Sequence, residues 1–532
     1  MEKEKIKTSL AWGWGKEVLA SMSLFHKLTI LVLITFITRY LAFFQLKMIT
    51  NDGVLYIQMA KLFSEGKFEG IPGTYFNLYP LLIFLVHKIT GDWEFSGQLI
   101  SITLSTLTVV PIFLFGRSLY NEKVAWFSAL FYIILPDFLK YSIEVLREPV
   151  SWFFITFTLW LVWIGTKQNR SILLGIASLS VGLGAMTRVE GFIVWGALAL
   201  FIAFQKSPGA SLKNKVLQVT LFILLCPLLL SAILFFMKGH SGQTAFGEMT
   251  SFSINALIDN TRAFLHPGDP IARTAPIIYK SLPPIAKDAL ELANRHRVAL
   301  AISEVIYKFI KSANLLIVLI LLGLWKRKKE GFESSDWYLI YTMMALFGMS
   351  VFYTSQIYYF STRHGLTLVL PSIFFAGHGL NLLAEPFSRG INRITPSWIM
   401  MKKYALHILT LFLITIFLSQ GLAPRRTDKI SFKEMGLWLK ENGYQGSVIM
   451  GSKEFLRLVF YADGKFLEMP DSWEKVMGSI HQNGVRLVAV DSCSIEEECP
   501  GFNVNLSQAG LFPLKVSKGK GGKCSIQIYG VY

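Results

Sequence analysis

The sequence has few charged residues for its length. Only 16% of its 532 residues are Asp, Glu, Lys or Arg, whereas a soluble globular protein contains about 25%. Hydrophobic residues make up 52% of the chain, and several apolar runs reach the roughly 20 residues that a membrane-spanning helix needs. The composition therefore excludes an ordinary soluble protein and predicts a polytopic α-helical membrane protein.

The sequence also contains little cysteine, with four residues in all. Cys226 lies in an apolar run, whereas Cys493, Cys499 and Cys524 lie near the C-terminus. One disulfide can form there if that region is extracytoplasmic, and one thiol is then left over. No Cys and His spacing fits structural zinc. We predict no metal site; a divalent metal is compatible with the sequence but not required by it, and the cofactor is unknown.

Two further absences narrow the functional class. The formal net charge is +17, yet no basic stripe or nucleic-acid motif occurs on a soluble segment, so we predict no nucleic-acid partner. The positive charges instead indicate membrane topology and contact with anionic lipid. The sequence has no internal symmetry with matched helices broken by Gly or Pro, which argues against a secondary transporter.

The apolar runs predict about eleven membrane spans. They cover residues 28–46, 97–115, 124–136, 149–165, 171–187, 190–204, 216–236, 312–325, 337–353, 365–384 and 404–420. Every second connection is basic, as in "GRSLYNEK", "TKQNR" and "KRKKEGFESSD". The positive-inside rule therefore predicts a multi-pass protein of the cytoplasmic (inner or plasma) membrane, with a cytoplasmic N-terminus and an extracytoplasmic C-terminus.

The same pattern divides the chain into parts. Residues 1–27 form the cytoplasmic N-terminus, and residues 28–420 form the transmembrane domain, with extracytoplasmic loops at 47–96 and 237–311. The second loop is amphipathic and basic, so it is either a lid over the site or a connector at the membrane surface. Residues 421–532 alternate β-branched runs such as "GSVIMG" with helical stretches such as "SFKEMGLWLKENG", which predicts a small α/β domain.

Four stretches gather charged and polar residues at the predicted outer face. They are "TNDGVLYIQMAKLF…YFNLYPLLIFLVHK", "PDFLKYSIEVLREPV", "LGAMTRVEGF" and "YFSTRHGLTLVLP". Between them they contain the candidate residues Asp52, Tyr56, Lys88, Glu144, Arg147, Glu148, Arg188, Glu190 and Arg363.

The order of these stretches resembles the polyprenyl-phosphate-sugar-dependent glycosyltransferases of GT-C architecture, which include protein O-mannosyltransferases and lipid A aminoarabinose transferases. The pattern is an acid after the first span, a "YPLL" helix, a "GRSLY" turn, an acid before the fourth span and "TRVEG". It extends well over residues 28–205 and moderately over 355–384. The resemblance implies inverting transfer of a sugar from a polyprenyl-phosphate donor in the membrane lipid to an extracytoplasmic glycolipid, glycan or protein.

The resemblance also implies catalytic roles for two acids. Such a transfer requires cations that stabilise the leaving phosphate and a carboxylate that deprotonates the acceptor hydroxyl. Asp52 is then the general base or lies beside it, and Glu148 is a second catalytic carboxylate. The alternatives are a solvated loop carboxylate for Asp52 and a favourable helix N-terminus for Glu148. The mannosyltransferase pattern is Asp–Glu, whereas Gly53 follows here, so a second carboxylate must come from elsewhere.

The remaining candidates are predicted to bind substrate. They are Tyr56, Lys88, Arg147, Arg188, Glu190 and Arg363. Arg147 and Arg363 are the predicted phosphate contacts, although Arg147 can instead pair with Glu144 on one helix face. Arg188 and Glu190 either form an ion pair that stabilises the turn between two apolar runs or contact the substrate. Arg39, inside the first span, is predicted to snorkel outward or to pair locally.

Two other functions remain open from sequence. A lipid-linked saccharide flippase or transporter requires charges along the spans, whereas here they gather at one face. An oligosaccharyltransferase or glycan polymerase of similar architecture is the other alternative, although the "WWDYG" signature expected of the oligosaccharyltransferase is absent.

Overall fold

The computed structural model describes residues 22–67, 77–205, 211–241, 283–394, 399–506, 510–518 and 524–531. The membrane region is helical in these parts of the chain. Its helices are α1 (Leu24–Phe43), α2 (Asn51–Ser64), α3 (Leu78–Thr90), α4 (Trp93–Leu107), α5 (Val109–Leu119), α6 (Glu122–Ile134), α7 (Pro136–Tyr141), α8 (Glu148–Lys167), α9 (Ser171–Thr187), α10 (Glu190–Phe204), α11 (Leu212–Ser241), α12 (Pro284–Arg295), α13 (Arg297–Ala313), α14 (Leu316–Glu330), α15 (Ser334–Ile357), α16 (Thr362–Ile394) and α17 (Ile399–Gly421).

Each apolar run that was predicted to span the membrane overlaps one of these helices. By length and composition, five helices of the described chain can cross a bilayer: α1, the continuous Trp93–Leu119 unit, α8, α11 and α15. The bent pair α13 and α14, which meet at 104°, brings the number to six if it counts as one span. The chain is therefore a multi-pass helical membrane protein, and the number of eleven spans stays a prediction.

Polar residues between the apolar runs determine where helices begin. The side chains of Ser23, Thr50, Asp92 and Asn121 each accept a hydrogen bond from a backbone N–H in the first turn of the following helix. Such caps satisfy donors that have no partner within the helix. Pro149 lies in the first turn of α8, where its missing N–H costs nothing.

Apolar side chains cover the outside of the bundle as well as its core. On α1, for example, Leu33, Phe36, Ile37 and Tyr40 are each about half exposed. An exposed apolar face of this kind is expected where lipid replaces water.

Helices α14 and α16 cross with their backbones in contact. A Cβ atom added to Gly323 would lie 1.8 Å from the carbonyl oxygen of Phe375, and one added to Gly379 would lie 1.9 Å from that of Leu319. Only glycine fits at either position, as in the small-residue contacts of other membrane helices.

Of the two alternatives predicted for Arg39, outward snorkelling is wrong. Its side chain is fully buried and donates hydrogen bonds to the carbonyl oxygens of Ile133, at 2.6 Å, and Tyr132, at 3.1 Å. These carbonyls lie at the C-terminal end of α6, where they have no partner in the helix and attract a cation. Arg39 therefore joins α1 to α6 inside the bundle.

The predicted cytoplasmic loops meet at one end of the bundle. Arg327 donates to the fully buried carboxylate of Asp336 at 2.8 Å, and the Tyr120 hydroxyl donates to the same carboxylate at 2.6 Å. At the same end Lys27 Nζ lies 2.7 Å from Glu122. Loops that are far apart in sequence thus form one buried polar layer, and the side of the membrane that this layer faces stays a prediction.

The C-terminal part of the chain contains the only β-sheet among the described residues. Its elements are a 3-10 turn (Thr427–Lys429), α18 (Ile430–Glu441), β1 (Val448–Gly451), a 3-10 turn (Lys453–Phe455), α19 (Leu456–Tyr461), β2 (Lys465–Glu468), α20 (Trp473–Asn483), β3 (Val485–Asp491), α21 (Ile495–Glu498), α22 (Phe502–Asn505), β4 (Leu511–Lys518) and β5 (Ser525–Val531). The strand order is β2-β1-β3-β5-β4. Strand β1 pairs in parallel with both β2 and β3, and β5 pairs antiparallel with both β3 and β4.

The C-terminal region packs directly against the membrane region. One hydrophobic core contains residues of α2 and α3 together with residues of α18, α19 and the sheet. The hydroxyl of Tyr461 accepts a hydrogen bond from the Ile49 N–H at 3.0 Å and donates one to Glu94 at 3.2 Å. A disulfide joins Cys493 to Cys524. The boundaries 1–27, 28–420 and 421–532 stay predictions.

Candidate functional site

Asp52 lies in the first turn of α2, where the chain leaves the first membrane helix. Thr50 caps this helix by accepting a hydrogen bond from the Gly53 N–H at 2.8 Å. The Asp52 side chain is 39% exposed. The turn thus presents a carboxylate to an aqueous space at the mouth of the bundle.

A continuous chain of ion pairs connects Asp52 to three other helices. Arg363, in the first turn of α16, pairs with Asp52 through Nη1 and approaches Glu148 Oε1 through Nε at 3.3 Å. Arg188 Nη1 also donates to Glu148 Oε1, at 2.6 Å, and Arg188 pairs with Glu190 through Nη2. Five predicted site residues that are up to 311 positions apart in sequence therefore meet in one cluster.

The three carboxylates of this cluster share a structural position. Asp52, Glu148 and Glu190 each lie in the first turn of a helix, in α2, α8 and α10 respectively. The positive end of a helix dipole favours an anion at that position. Helix termini and guanidinium groups therefore hold the three negative charges together.

Gly53 explains why the second carboxylate does not follow Asp52 in sequence. A Cβ atom at Gly53 would lie 2.8 Å from Ile49 Cγ1 and 3.0 Å from Val145 Cβ. No larger side chain fits without moving the segment that precedes α8. Glu148, the first residue of α8, supplies the second carboxylate of the cluster, since it shares Arg363 with Asp52.

Tyr56 and Arg147 lie beside this cluster. The Arg147 guanidinium carbon is 5.9 Å from the centre of the Tyr56 ring, and that ring packs edge-on against Tyr79 at 5.4 Å. Burial raises the pKa of Tyr56, so its phenol stays protonated at neutral pH. Tyr56 therefore offers a neutral hydrogen-bond donor, its phenol O–H, next to the Arg147 guanidinium.

Lys88 is not part of this cluster. It is an exposed residue in the last turn of α3, and its Nζ lies 4.6 Å above the Phe84 ring. The expected helix face shared by Glu144 and Arg147 is also absent, because residues 142–147 are not helical. Glu144 instead accepts hydrogen bonds at 3.0 and 3.1 Å from Nη2 of Arg426, a residue that follows the last membrane helix.

A cavity of about 360 Å³ opens beside Asp52. Its lining includes Asp52, Arg363, Lys140, Tyr141, Glu144, Arg426 and Arg457. Burial raises the pKa of Tyr141 to about 12, so this phenol is neutral as well. The membrane region forms one wall of the cavity and the C-terminal region forms the other.

Sequence reasoning missed three basic residues of this cavity. Lys140 lies in the "PDFLKYSIEVLREPV" stretch but is not one of the residues predicted there, and Arg426 and Arg457 lie in a region that has no motif of the resembled family. The signal available was the "PRRT" run directly after the last apolar span, since cations at that position lie near the outer face. Arg457 gives no such signal, because only the fold brings α19 to the cavity.

The described residues offer no obvious metal site at this cavity. Asp52 and Glu148 are both engaged by Arg363. The one described group with a geometry suited to a metal is Asp491, Cys493 and Cys524, and its two sulfur atoms form the disulfide. The arrangement at Asp52 instead combines a carboxylate, several cations and protonated phenols.

A family model matches the part of the chain that contains several of the predicted site residues. The family model for dolichyl-phosphate-mannose-protein mannosyltransferase matches residues 77–234, which contain Lys88, Arg147, Glu148, Arg188 and Glu190. No curated protein matches the chain.

Solved structures match almost the whole chain in fold. ArnT from Cupriavidus metallidurans in the apo state has a TM-score of 0.61 at 11% identity, with 93% of this chain and 97% of that chain covered. ArnT bound to undecaprenyl phosphate has a TM-score of 0.58 at 10% identity, with 95% and 98% covered. The oligosaccharyltransferase AglB from Archaeoglobus fulgidus, in complex with an inhibitory peptide and a dolichol-phosphate, has a TM-score of 0.55 at 14% identity, with 95% and 74% covered.

The helical bundle, the site at its mouth and these matches define a membrane protein with the GT-C fold. The resemblance inferred from sequence is thereby confirmed: residues 77–234 match a mannosyltransferase family model, and the chain has the fold of solved GT-C glycosyltransferases.

Proposed function

We propose that the protein is an inverting membrane glycosyltransferase. It transfers a sugar from a polyprenyl-phosphate donor to an acceptor on the extracytoplasmic side of the cytoplasmic membrane. The observation that carries this proposal is the cluster of Asp52, Arg363 and Glu148 at the mouth of a GT-C bundle, beside an open cavity.

In the proposed reaction Asp52 is the general base. The acceptor hydroxyl gives its proton to the Asp52 carboxylate while its oxygen attacks the anomeric carbon of the donor sugar. The bond between that carbon and the phosphate oxygen breaks, and polyprenyl phosphate leaves with the electron pair. A single displacement of this kind inverts the configuration. Cations next to the leaving phosphate stabilise its developing charge.

Arg363 and Arg147 are the proposed phosphate contacts, with Tyr56 beside them. Arg363 is shared between Asp52 and Glu148. An arriving phosphate competes with Asp52 for this guanidinium, and the displaced carboxylate is then available to the acceptor hydroxyl. Arg188 and Glu190 hold Glu148 in place behind this contact. Donor binding thus activates the base.

The proposal is tested by a transfer assay with purified protein. Polyprenyl-phosphate sugars are offered together with extracted lipid and protein acceptors, and transfer is read as a mass increase of the acceptor. Asp52→Asn keeps the size of the side chain but removes the base, so we expect turnover to fall by about 10²–10⁴-fold with saturating donor.

The control is Asp471→Asn, which removes a carboxylate from an exposed position in the C-terminal region. We expect it to retain wild-type turnover. Normal turnover by Asp52→Asn with saturating donor would exclude Asp52 as the base.

A further inference from the structure

The cavity beside Asp52 has an excess of positive charge. Its lining carries four cations, Lys140, Arg363, Arg426 and Arg457, and two carboxylates, Asp52 and Glu144. Arg363 is paired with Asp52, and Arg426 is paired with Glu144. Among the described residues, no carboxylate lies within ion-pair distance of Lys140 or Arg457. The two remaining positive charges thus face a common space.

Arg457 is the more unusual of these two residues. Its side chain is nearly inaccessible, with 5% relative exposure, and its Nε has no hydrogen-bond partner in the described chain. Its guanidinium carbon lies 5.5 Å from the centre of the Phe432 ring. Burial lowers the pKa of Arg457, and the nearby charge of Arg426 lowers it further. Glu454 and Asp428 act on Arg457 only from beyond ion-pair distance. A buried cation with no carboxylate paired to it is unfavourable, so its presence at a cavity indicates an anionic ligand.

The geometry of the three groups suits such a ligand. Arg457 projects from α19, Arg426 follows the last membrane helix and Lys140 lies in α7. Arg426 uses Nη2 for Glu144, while its Nε has no hydrogen-bond partner in the described chain. Two guanidinium groups and one ammonium group from opposite walls therefore surround the same cavity. Guanidinium forks bind phosphate and carboxylate groups with paired hydrogen bonds.

We propose that Lys140, Arg426 and Arg457 bind an anionic group, a phosphate or a carboxylate, of the acceptor substrate. The proposal rests on the proposed function, because it takes Asp52 as the base. The base must touch the acceptor hydroxyl. Because the donor phosphate is assigned to Arg363 and Arg147, the part of the cavity that Lys140, Arg426 and Arg457 line is assigned to the acceptor. The C-terminal region then selects acceptors that carry a negative charge near the reacting hydroxyl.

The same positive groups would also attract the phosphate of the donor, so the test separates the two sources. Full-length protein in lipid nanodiscs is first saturated with undecaprenyl phosphate, which fills the donor site. Binding of inorganic phosphate is then measured by calorimetry. We expect wild-type protein to bind inorganic phosphate while the lipid phosphate is bound.

Three variants test the residues. We expect Arg457→Gln and Lys140→Gln to weaken this second phosphate binding by about 10-fold or more. Arg486→Gln removes a cation from an exposed position in β3, away from the cavity, and is expected to bind phosphate as wild type does. Undecaprenyl phosphate itself should bind all three variants with an affinity within about twofold of that of wild type. If the buried Arg457→Gln protein does not fold, the half-buried Lys140→Gln variant decides the result.

Two results would overturn the proposal. In the first, inorganic phosphate fails to bind once undecaprenyl phosphate is present, which would mean that the cavity holds only one anion, that of the donor. In the second, both variants bind phosphate with wild-type affinity. Neither measurement requires turnover. If the protein transfers sugar but has no second phosphate site, the acceptor inference alone is rejected. If it has the second phosphate site but transfers no sugar, the proposed function is rejected.

Discussion

At the scale of single residues, Arg363 connects the two carboxylates that the proposed chemistry uses. Its guanidinium pairs with Asp52 on one side and with Glu148 on the other, and Arg188 supports Glu148 from behind. Each acid lies at a helix N-terminus, where the helix dipole attracts negative charge. This arrangement holds the Asp52 carboxylate in an ion pair with Arg363 that a stronger anion can displace.

We predict that Arg363→Ala and Arg147→Ala weaken donor binding more than they slow the chemical step. Loss of a charge-assisted hydrogen bond costs about 1.5–3 kcal/mol, which corresponds to about a 10- to 100-fold weaker affinity. The measurement is the dissociation constant for undecaprenyl phosphate, followed by turnover at saturating donor. Arg170→Ala, at an exposed position between α8 and α9, is the control for loss of a positive charge. Unchanged affinity in both site variants would make these arginines structural.

Asp52→Asn should bind the donor more tightly than the wild type, although it is inactive. The substitution removes the carboxylate that competes with phosphate for Arg363. An ion pair at a half-exposed position stabilises by at most about 1 kcal/mol, so affinity should rise by up to about fivefold. Binding of undecaprenyl phosphate to the purified variant tests this. Weaker binding would show that Asp52 helps to hold the donor and would contradict the competition between the two anions.

At the scale of helices, the site depends on where the helices start. The cluster exists because α2, α8, α10 and α16 all begin at the same end of the bundle, with a charged residue in each first turn. Helix α16 reaches this position by packing against α14 along its length. Any change that separates these two helices should therefore move Arg363 as well as lower stability.

The contact between α14 and α16 provides a sensitive test. We predict that Gly323→Ala lowers the free energy of unfolding by about 1–3 kcal/mol, because its methyl group meets a backbone carbonyl of α16. Gly348→Ala, in α15, is the matched control, since nothing lies within 4 Å of its Cβ position. Alanine is the better helix former there by up to about 1 kcal/mol. Thermal unfolding in detergent compares the two variants; equal transition temperatures would contradict the close crossing.

At the scale of the whole molecule, the polar groups separate to the two ends of the bundle. One end carries the network of Arg327, Asp336 and Tyr120, and the other carries Asp52 and the cavity. The C-terminal region packs at the end that carries Asp52. The orientation of the active end thus follows from the side on which the basic loops lie.

We predict that reporters fused after residue 330 are cytoplasmic and that reporters fused after residue 430 are extracytoplasmic. The reason is the alternation of basic connections, which are retained in the cytoplasm. An alkaline phosphatase fusion and a fluorescent protein fusion at each position read the two sides independently. A cytoplasmic signal from the fusion at residue 430 would reverse the active face and contradict the proposed mechanism.

The sequence by itself determined the membrane class, the helical runs and most of the ion-pair cluster. Apolar runs and basic loops are local features, and one-dimensional spacing is enough to recognise them. Asp52, Glu148, Arg188, Glu190 and Arg363 were all predicted, because charged residues next to apolar runs stand out in a chain with so little charge.

Only the tertiary structure decided which of these residues meet and what they face. Lys88 was predicted to bind substrate, yet it lies on the exposed end of α3, because the orientation of a helix end depends on packing. Arg426 and Arg457 were not predicted, since their contact with the cavity arises from the docking of the C-terminal region on α2 and α3. Residues hundreds of positions apart become neighbours because apolar surfaces of distant segments pack together. Local sequence patterns do not show which of these surfaces will pack against each other.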